Sequence, residues 1–167
     1  MSTFIVAVGF LLLGDFLSTF LYHCPEHVFG GFHSKVHHGH NKSFLHYAVL
    51  TKNPLVLLDG FLGALPYLIL VPALWQISPV GTLIGLALGQ AHVIWRHTTS
   101  IGWVTSPYWL YVTDMLMVTT PERHWLHHKD ARAAFGDIFT FYDAPAQAWM
   151  KFLKKVKVKF SKPSSIS

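Results

Sequence analysis

Four short histidine clusters alternate with apolar runs along this chain, and any fold it adopts must bring those clusters together. They read His23-x-x-x-His27, His33-x-x-x-His37-His38, His92-x-x-x-x-His97 and His124-x-x-His127-His128, and they hold ten of the twelve histidines among 167 residues. Neutral imidazole is the commonest protein metal ligand. Helix positions i, i+3 and i+4 share one face, so His124, His127 and His128 are expected to converge on one point. An ordinary core has no use for so many imidazoles. One ion takes no more than about six ligands, so the set predicts two metals.

The balance of the chain says membrane. It is 51% hydrophobic and 13% charged, with a mean hydropathy of +0.37, whereas a soluble domain carries about 25% charge. The length fits one domain. We read residues 1–153 as a single membrane-embedded unit and residues 154–167 as a basic, disordered tail. The lone Cys24 excludes a disulfide framework within the chain and an internal iron–sulfur cluster. The formal charge of +5 gathers in Lys151, Lys154, Lys155, Lys157 and Lys159. Such a cluster beside apolar segments marks the cytoplasmic side and suits anionic lipid. In so apolar a chain it does not argue for nucleic acid.

Residues 2–22, 54–76 and 79–96 are the expected spans, since a crossing takes about 20 apolar residues. The first lacks the basic start and small-residue cleavage site of a signal peptide. It carries Asp15, which is costly in lipid and is expected to face the protein interior. Pro66 predicts a kink, and Pro72, Pro79 and Gly81 predict a turn between the second and third spans. Trp103 to Val118 is aromatic at its start and reads as a helix lying at the interface. Two spans between the second cluster and His97 return the chain to one side, so all clusters meet there, with the lysines. The expected fold is all-α: an integral-membrane, multi-pass helical bundle of about three to four spans. A histidine-rich metal-binding cap and the C-terminus lie in the cytoplasm. Asn41-Lys42-Ser43 matches a glycosylation acceptor but falls on the cytoplasmic side.

The sequence resembles the fatty acid hydroxylase/sterol desaturase superfamily of membrane histidine-box di-iron oxygenases. Three passages carry the likeness: Gly14-Asp15-Phe16 through His23-x-x-x-His27 and Phe32-His33 to His37-His38; His92 to Thr98; and Val118-Thr119-Thr120-Pro121-Glu122-Arg123-His124-Trp125-Leu126-His127-His128 followed by Phe135-Gly136-Asp137 and Tyr142-Asp143. The box layout looks most like those of alkylglycerol monooxygenase, sterol desaturase and β-carotene hydroxylase. Two departures stand out. His33 sits one residue further from its pair than in the usual His-x-x-His-His, and Pro25 lies inside the first box.

The resemblance implies two irons held by His23, His27, His33, His37, His38, His97, His124, His127 and His128, with His92 a further candidate. Zinc could replace iron in purified protein, because ferrous iron binds less tightly to a given nitrogen site. It implies that O2 serves as co-substrate and that an unactivated C–H bond of a fatty acyl, sterol or carotenoid substrate from the bilayer is hydroxylated or desaturated. Electrons would come from an external donor such as a ferredoxin or a cytochrome b5-type protein, since the chain has no dinucleotide fingerprint and no cysteine set. Ligating histidines normally hydrogen-bond through their other nitrogen. Asp15, Glu26, Asp114, Glu122, Asp137 and Asp143 are the candidates for that role, Asp137 and Asp143 above all. No catalytic group beyond the ligands is identified. His40 and His46 read as solvent-facing or as partners of ligands. A bundle with so few spans would cover its apolar surface by forming a homodimer.

Two other classes fit part of the sequence. His23-Cys24-Pro25-Glu26-His27 matches the inverted zinc-protease motif, with Glu26 as general base of a membrane zinc metallohydrolase. That reading leaves the other clusters unexplained. The second is a non-catalytic metal-binding membrane protein.

Overall fold

Four helices begin on the same pair of residues, a side-chain oxygen followed by proline: Asn53-Pro54, Ser78-Pro79, Ser106-Pro107 and Thr120-Pro121. Each oxygen accepts a backbone N–H two or three residues on. The proline costs nothing there, because the first N–H of a helix has no partner within the helix. In the computed structural model, which describes residues 2–39, 42–130 and 133–161, the helices run in order. They are α1 (Ser2–Leu17), α2 (Cys24–Phe29), α3 (Phe32–Val36), α4 (Phe44–Tyr47), α5 (Pro54–Leu68), α6 (Val71–Ile77), α7 (Pro79–Arg96), α8 (Pro107–Met115), α9 (Pro121–Lys129) and α10 (Asp143–Ser161). The described residues contain no strand, and an isolated antiparallel bridge joins Val118 to Phe139. The fold is all-α, as expected.

A π-helical turn, Ser18–His23, joins α1 to α2 without a break. Its cause is Pro25, which has no N–H to donate and whose ring would strike the carbonyl one turn back. The Cys24 N–H reaches back five residues to the Thr19 carbonyl, which widens the turn ahead of the proline. Pro25 then sits in the first turn of α2, where it is tolerated.

The unit Ser2–Phe29 is 28 residues long and apolar enough to cross a membrane. Pro54–Leu68 and Val71–Ile77 pass together as a second crossing, bent by 42°. The bend falls between Leu68 and Val71, just ahead of Pro72, and not at Pro66, which α5 holds within its length. α7 is 18 residues long, but Gln90, His92 and Arg96 make its second half polar. α8 has nine residues; at about 1.5 Å per residue it is far too short to span. Phe4, Leu13, Leu57, Phe61, Leu83 and Leu88 stand exposed on the outer faces of α1, α5 and α7.

α1 lies against both α7 and α5. Close approach to α7 depends on Gly81 and Gly85, four residues apart on one face. A Cβ at Gly81 would stand 2.6 Å from the Thr3 carbonyl oxygen, and one at Gly85 2.9 Å from the Phe10 ring. Small residues at this spacing let two helix backbones approach in an apolar setting.

At the other end of the molecule, Cys24 and Val28 of α2 pack on Phe135 and on Ala146, Met150 and Leu153 of α10. This contact corrects the expected tail. α10 runs unbroken across the 153/154 boundary to Ser161. Leu153 stays buried in the cluster, and lysine is itself a good helix former. Residues 162–167 lie outside the described residues, as do His40 and Asn41.

Candidate metal centre

Nine histidines converge from five places: His23 on the π-turn, His27 on α2, the second box on and just after α3, His97 just after α7, and the third box on α9. They form two groups. The ring nitrogens of His23, His27, His33 and His38 lie within 4.8 Å of one another, and so do those of His37, His97, His124 and His128. His127 joins the first group, its Nε2 lying 2.8 Å from that of His23. Each four-histidine group could hold a metal ion.

The boxes divide between the groups. His124 and His128, four residues apart on α9, face each other at 3.1 Å. His127 does not join them at a single point as the spacing predicts. Successive helix residues point about 100° apart, so a consecutive pair serves two directions. His37 and His38, consecutive just after α3, divide in the same way. His23, the last residue of the π-turn, and His27 on α2 still meet, at 3.1 Å.

The arrangement fits cations. His97 Nε2 faces the Nε2 of both His37, at 3.1 Å, and His124, at 2.9 Å. His23 Nε2 likewise faces two others. A ring nitrogen carries one proton or one lone pair and cannot satisfy two such neighbours. Nitrogens about 2.1 Å from one ion and at right angles around it lie about 3 Å apart, in line with these separations. The outer nitrogens hold the rings the right way round: Nδ1–H of His97 donates to the Val93 carbonyl and that of His127 to the Ala133 carbonyl, both at 2.7 Å. A protonated Nδ1 leaves the Nε2 lone pair inward. Both ring nitrogens of His38, and Nδ1 of His128, are buried without a hydrogen-bond partner.

Burial also sets the charge. It holds His37, His97 and His124 well below the ordinary histidine pKa, with neighbouring imidazoles or Arg96 adding to it. It pushes His127 down to about 4 and His128 to about 2. All are therefore neutral near pH 7, the form that ligates a metal.

The carboxylates fall into three kinds. Asp137 stands 3.7 Å from His23 Nδ1 and pairs with Arg96 at 2.8 Å. Asp59, absent from the candidates read in the sequence, lies 3.0 Å from His33 Nδ1 and accepts the Tyr22 hydroxyl. Its signal was available: it is an acidic residue inside an apolar run, the same feature that singled out Asp15. Asp15 and Asp143 touch no imidazole. Asp15 accepts the backbone N–H groups of Asp137, Ile138 and Phe139. Asp143 accepts that of Gly136 and pairs with Arg123. Both shape the loop that carries Asp137. Glu26 Oε1 takes the N–H groups of Gly31, Phe32 and His33, Glu122 takes that of Thr105, and Asp114 is exposed on α8. His92 binds the Thr119 carbonyl at 2.9 Å and stands apart from both groups. His46 donates to the Val36 carbonyl at the end of α3.

A cavity of about 330 Å³ opens beside the histidines. His23, His33, His37, His97 and His124 line its inner end, and Phe10, Tyr67 and Leu86 its far end. Phe61, Ala64 and Leu68 of α5 and Gln90 of α7 line it too and are themselves exposed, which places the mouth between those two helices.

An all-α chain with an apolar helix and two imidazole groups, one buried and one half-buried, beside an apolar cavity has the makings of a metal-binding membrane oxidoreductase. The sequence pattern of the family described as fatty acid hydroxylase matches residues 7–147, and the chain belongs to that family of membrane-associated hydroxylases and desaturases. No curated protein and no solved structure matches the chain significantly.

Proposed function

We propose that the protein is a di-iron, O2-dependent lipid oxygenase. His23, His27, His33, His38 and His127 hold one iron and His37, His97, His124 and His128 the other. When bound, the pair of irons supplies O2 activation, with electrons from an external donor such as a ferredoxin or a cytochrome b5-type protein. The observation that carries this reading is the placement of two imidazole groups, one buried and one half-buried, at the inner end of an apolar cavity.

The chain's own residues do the rest. The exposed mouth between α5 and α7 admits a substrate sideways from the bilayer, and an apolar lining favours a hydrocarbon chain or ring over water. Phe10 and Tyr67, packed at 5.9 Å, close the far end. The two carbonyls beneath His97 and His127 hold the Nδ1 protons and keep Nε2 inward. Arg96 balances Asp137 behind His23. In this reading the histidine face and the lysines of α10 lie on the cytoplasmic side.

Glu26 argues against the zinc-hydrolase alternative. A general base must reach the attacking water, yet the Glu26 carboxylate is committed to three backbone N–H groups at the start of α3.

The test is elemental analysis of protein from iron-supplemented cells, joined to O2 uptake with a reductant and lipid substrates. Two irons per chain and lipid-dependent O2 uptake are expected. One tightly held zinc, or no stoichiometric metal, refutes the reading.

A further inference from the structure

Asp59 is 4% exposed on α5, within the second apolar run. A carboxylate buried there is costly and needs partners. Its partners come from two other elements. His33 Nδ1 lies 3.0 Å from Oδ1 and 3.2 Å from Oδ2. The Tyr22 hydroxyl, on the π-turn, donates to Oδ1 at 3.1 Å. His37 Nδ1 lies 3.9 Å from Oδ2, within ion-pair reach though longer than a hydrogen bond.

His33 belongs to one histidine group and His37 to the other. One carboxylate thus stands behind both. The other acidic residues nearby are used differently. Asp15 is spent on backbone N–H groups, and Asp137 faces His23, accepts the Ser18 hydroxyl and is matched by Arg96. Asp59, by contrast, faces two imidazoles, one from each group.

Building on the two-metal reading, we infer that Asp59 is a positioning residue shared by both metal sites. Its carboxylate holds the Nδ1–H of His33 and draws that of His37, so that each ring presents its Nε2 lone pair to a different ion. Tyr22 fixes the carboxylate's own orientation. Outer carboxylates of this kind raise ligand basicity and lock the ring, and losing one costs about 10–100-fold in metal affinity. Here one residue would carry that effect for two ions.

The test titrates metal-free, detergent-solubilised protein with Co²⁺, whose visible absorption reports the number and geometry of its ligands. Wild type, Asp59→Asn and Asp59→Leu are compared, with helicity of the metal-free protein followed alongside. Wild type should take up two Co²⁺ per chain. Asp59→Leu should weaken both equivalents by about 10–100-fold and alter the spectrum while helicity holds. Asp59→Asn keeps one oxygen for His33 and Tyr22 but turns an amide N–H₂ toward His37, so it should weaken one equivalent more than the other. Two equivalents in Asp59→Leu with wild-type affinity and spectrum overturn the inference. Should that variant fail to fold, two unchanged equivalents in Asp59→Asn overturn it equally. Affinity lost only in step with helicity also counts against a positioning role. A wild type that binds fewer than two Co²⁺ refutes the two-metal reading itself, whatever the variants do.

Discussion

Asp15→Asn is the sharpest single test of how the site is held. The Asp15 carboxylate is fully buried and serves four donors. Oδ1 accepts from the Asp137 N–H at 3.1 Å and the Thr19 hydroxyl at 3.2 Å. Oδ2 accepts from the N–H groups of Ile138 and Phe139 at 3.0 and 2.7 Å. Asparagine has almost the same shape but only one oxygen. With its N–H₂ on the Oδ2 side, the Ile138 and Phe139 N–H groups lose their acceptor; on the Oδ1 side only the Asp137 N–H does, because the Thr19 hydroxyl can turn and accept. Leaving a buried donor unpaired costs about 1–3 kcal/mol, so in the better orientation the change should destabilise by about that much. That is a large part of a typical total of about 5–15 kcal/mol. Reversible denaturant unfolding in detergent micelles, followed by helicity, measures it. A loss below about 1 kcal/mol would refute the argument that one carboxylate anchors the 137–139 loop to the first helix.

Two further outcomes follow from the packing and the charges. The metal-free protein should lose stability in acid: burial holds His127 at about 4, His128 at about 2 and His124 well below the ordinary 6.5. Unfolding raises these values, so the unfolded chain binds more protons; the stability is full above about pH 6.5 and is lost as pH falls toward 4, by up to about 1.4 kcal/mol per pH unit per histidine. Unfolding midpoints that stay flat from pH 7.5 to 5 contradict this. Gly85→Leu should drive a side chain into the Phe10 ring, which would stand only 2.9 Å from the first added carbon, and cost about 1–3 kcal/mol by overpacking; a thermal midpoint equal to wild type would show that α1 and α7 are not packed as described.

The histidine clusters were legible because ligand spacing is local: three or four residues along a helix bring two rings to one side whatever the rest of the chain does. Which ring serves which group was not legible. It depends on how α3 and α9 are each turned, and residues far along the chain help to set that: Asp59 holds His33 of α3 and Asp143 holds Arg123 of α9. Asp59 and the Gly81–Gly85 pair were written in the sequence, as an acid in an apolar run and as glycines four apart, but their partners Tyr22, His33 and Phe10 come from other helices. The four oxygen–proline starts are local signals that mark helix boundaries directly. The helix through Lys154 to Ser161 was hidden by its own composition. A lysine-rich stretch reads as a solvated tail until Leu153 is seen fixed against Cys24 and Val28.

The π-turn at Ser18–His23 works as a phase shifter. An α-helix assigns each residue a compass bearing, advancing about 100° per position, and an extra residue in one turn resets that bearing for everything downstream. Upstream of it, α1 turns Phe4, Leu13 and Phe16 outward and Phe10 and Asp15 inward. Downstream, His23 and His27 take their aim from the reset. The lipid-facing stripe and the ligand-bearing stripe of one continuous rod are thereby uncoupled, and each is free to vary without dragging the other round. Rewinding the same residues as plain α-helix would leave the rod as apolar, yet swing both histidines away from their partners by about 100°.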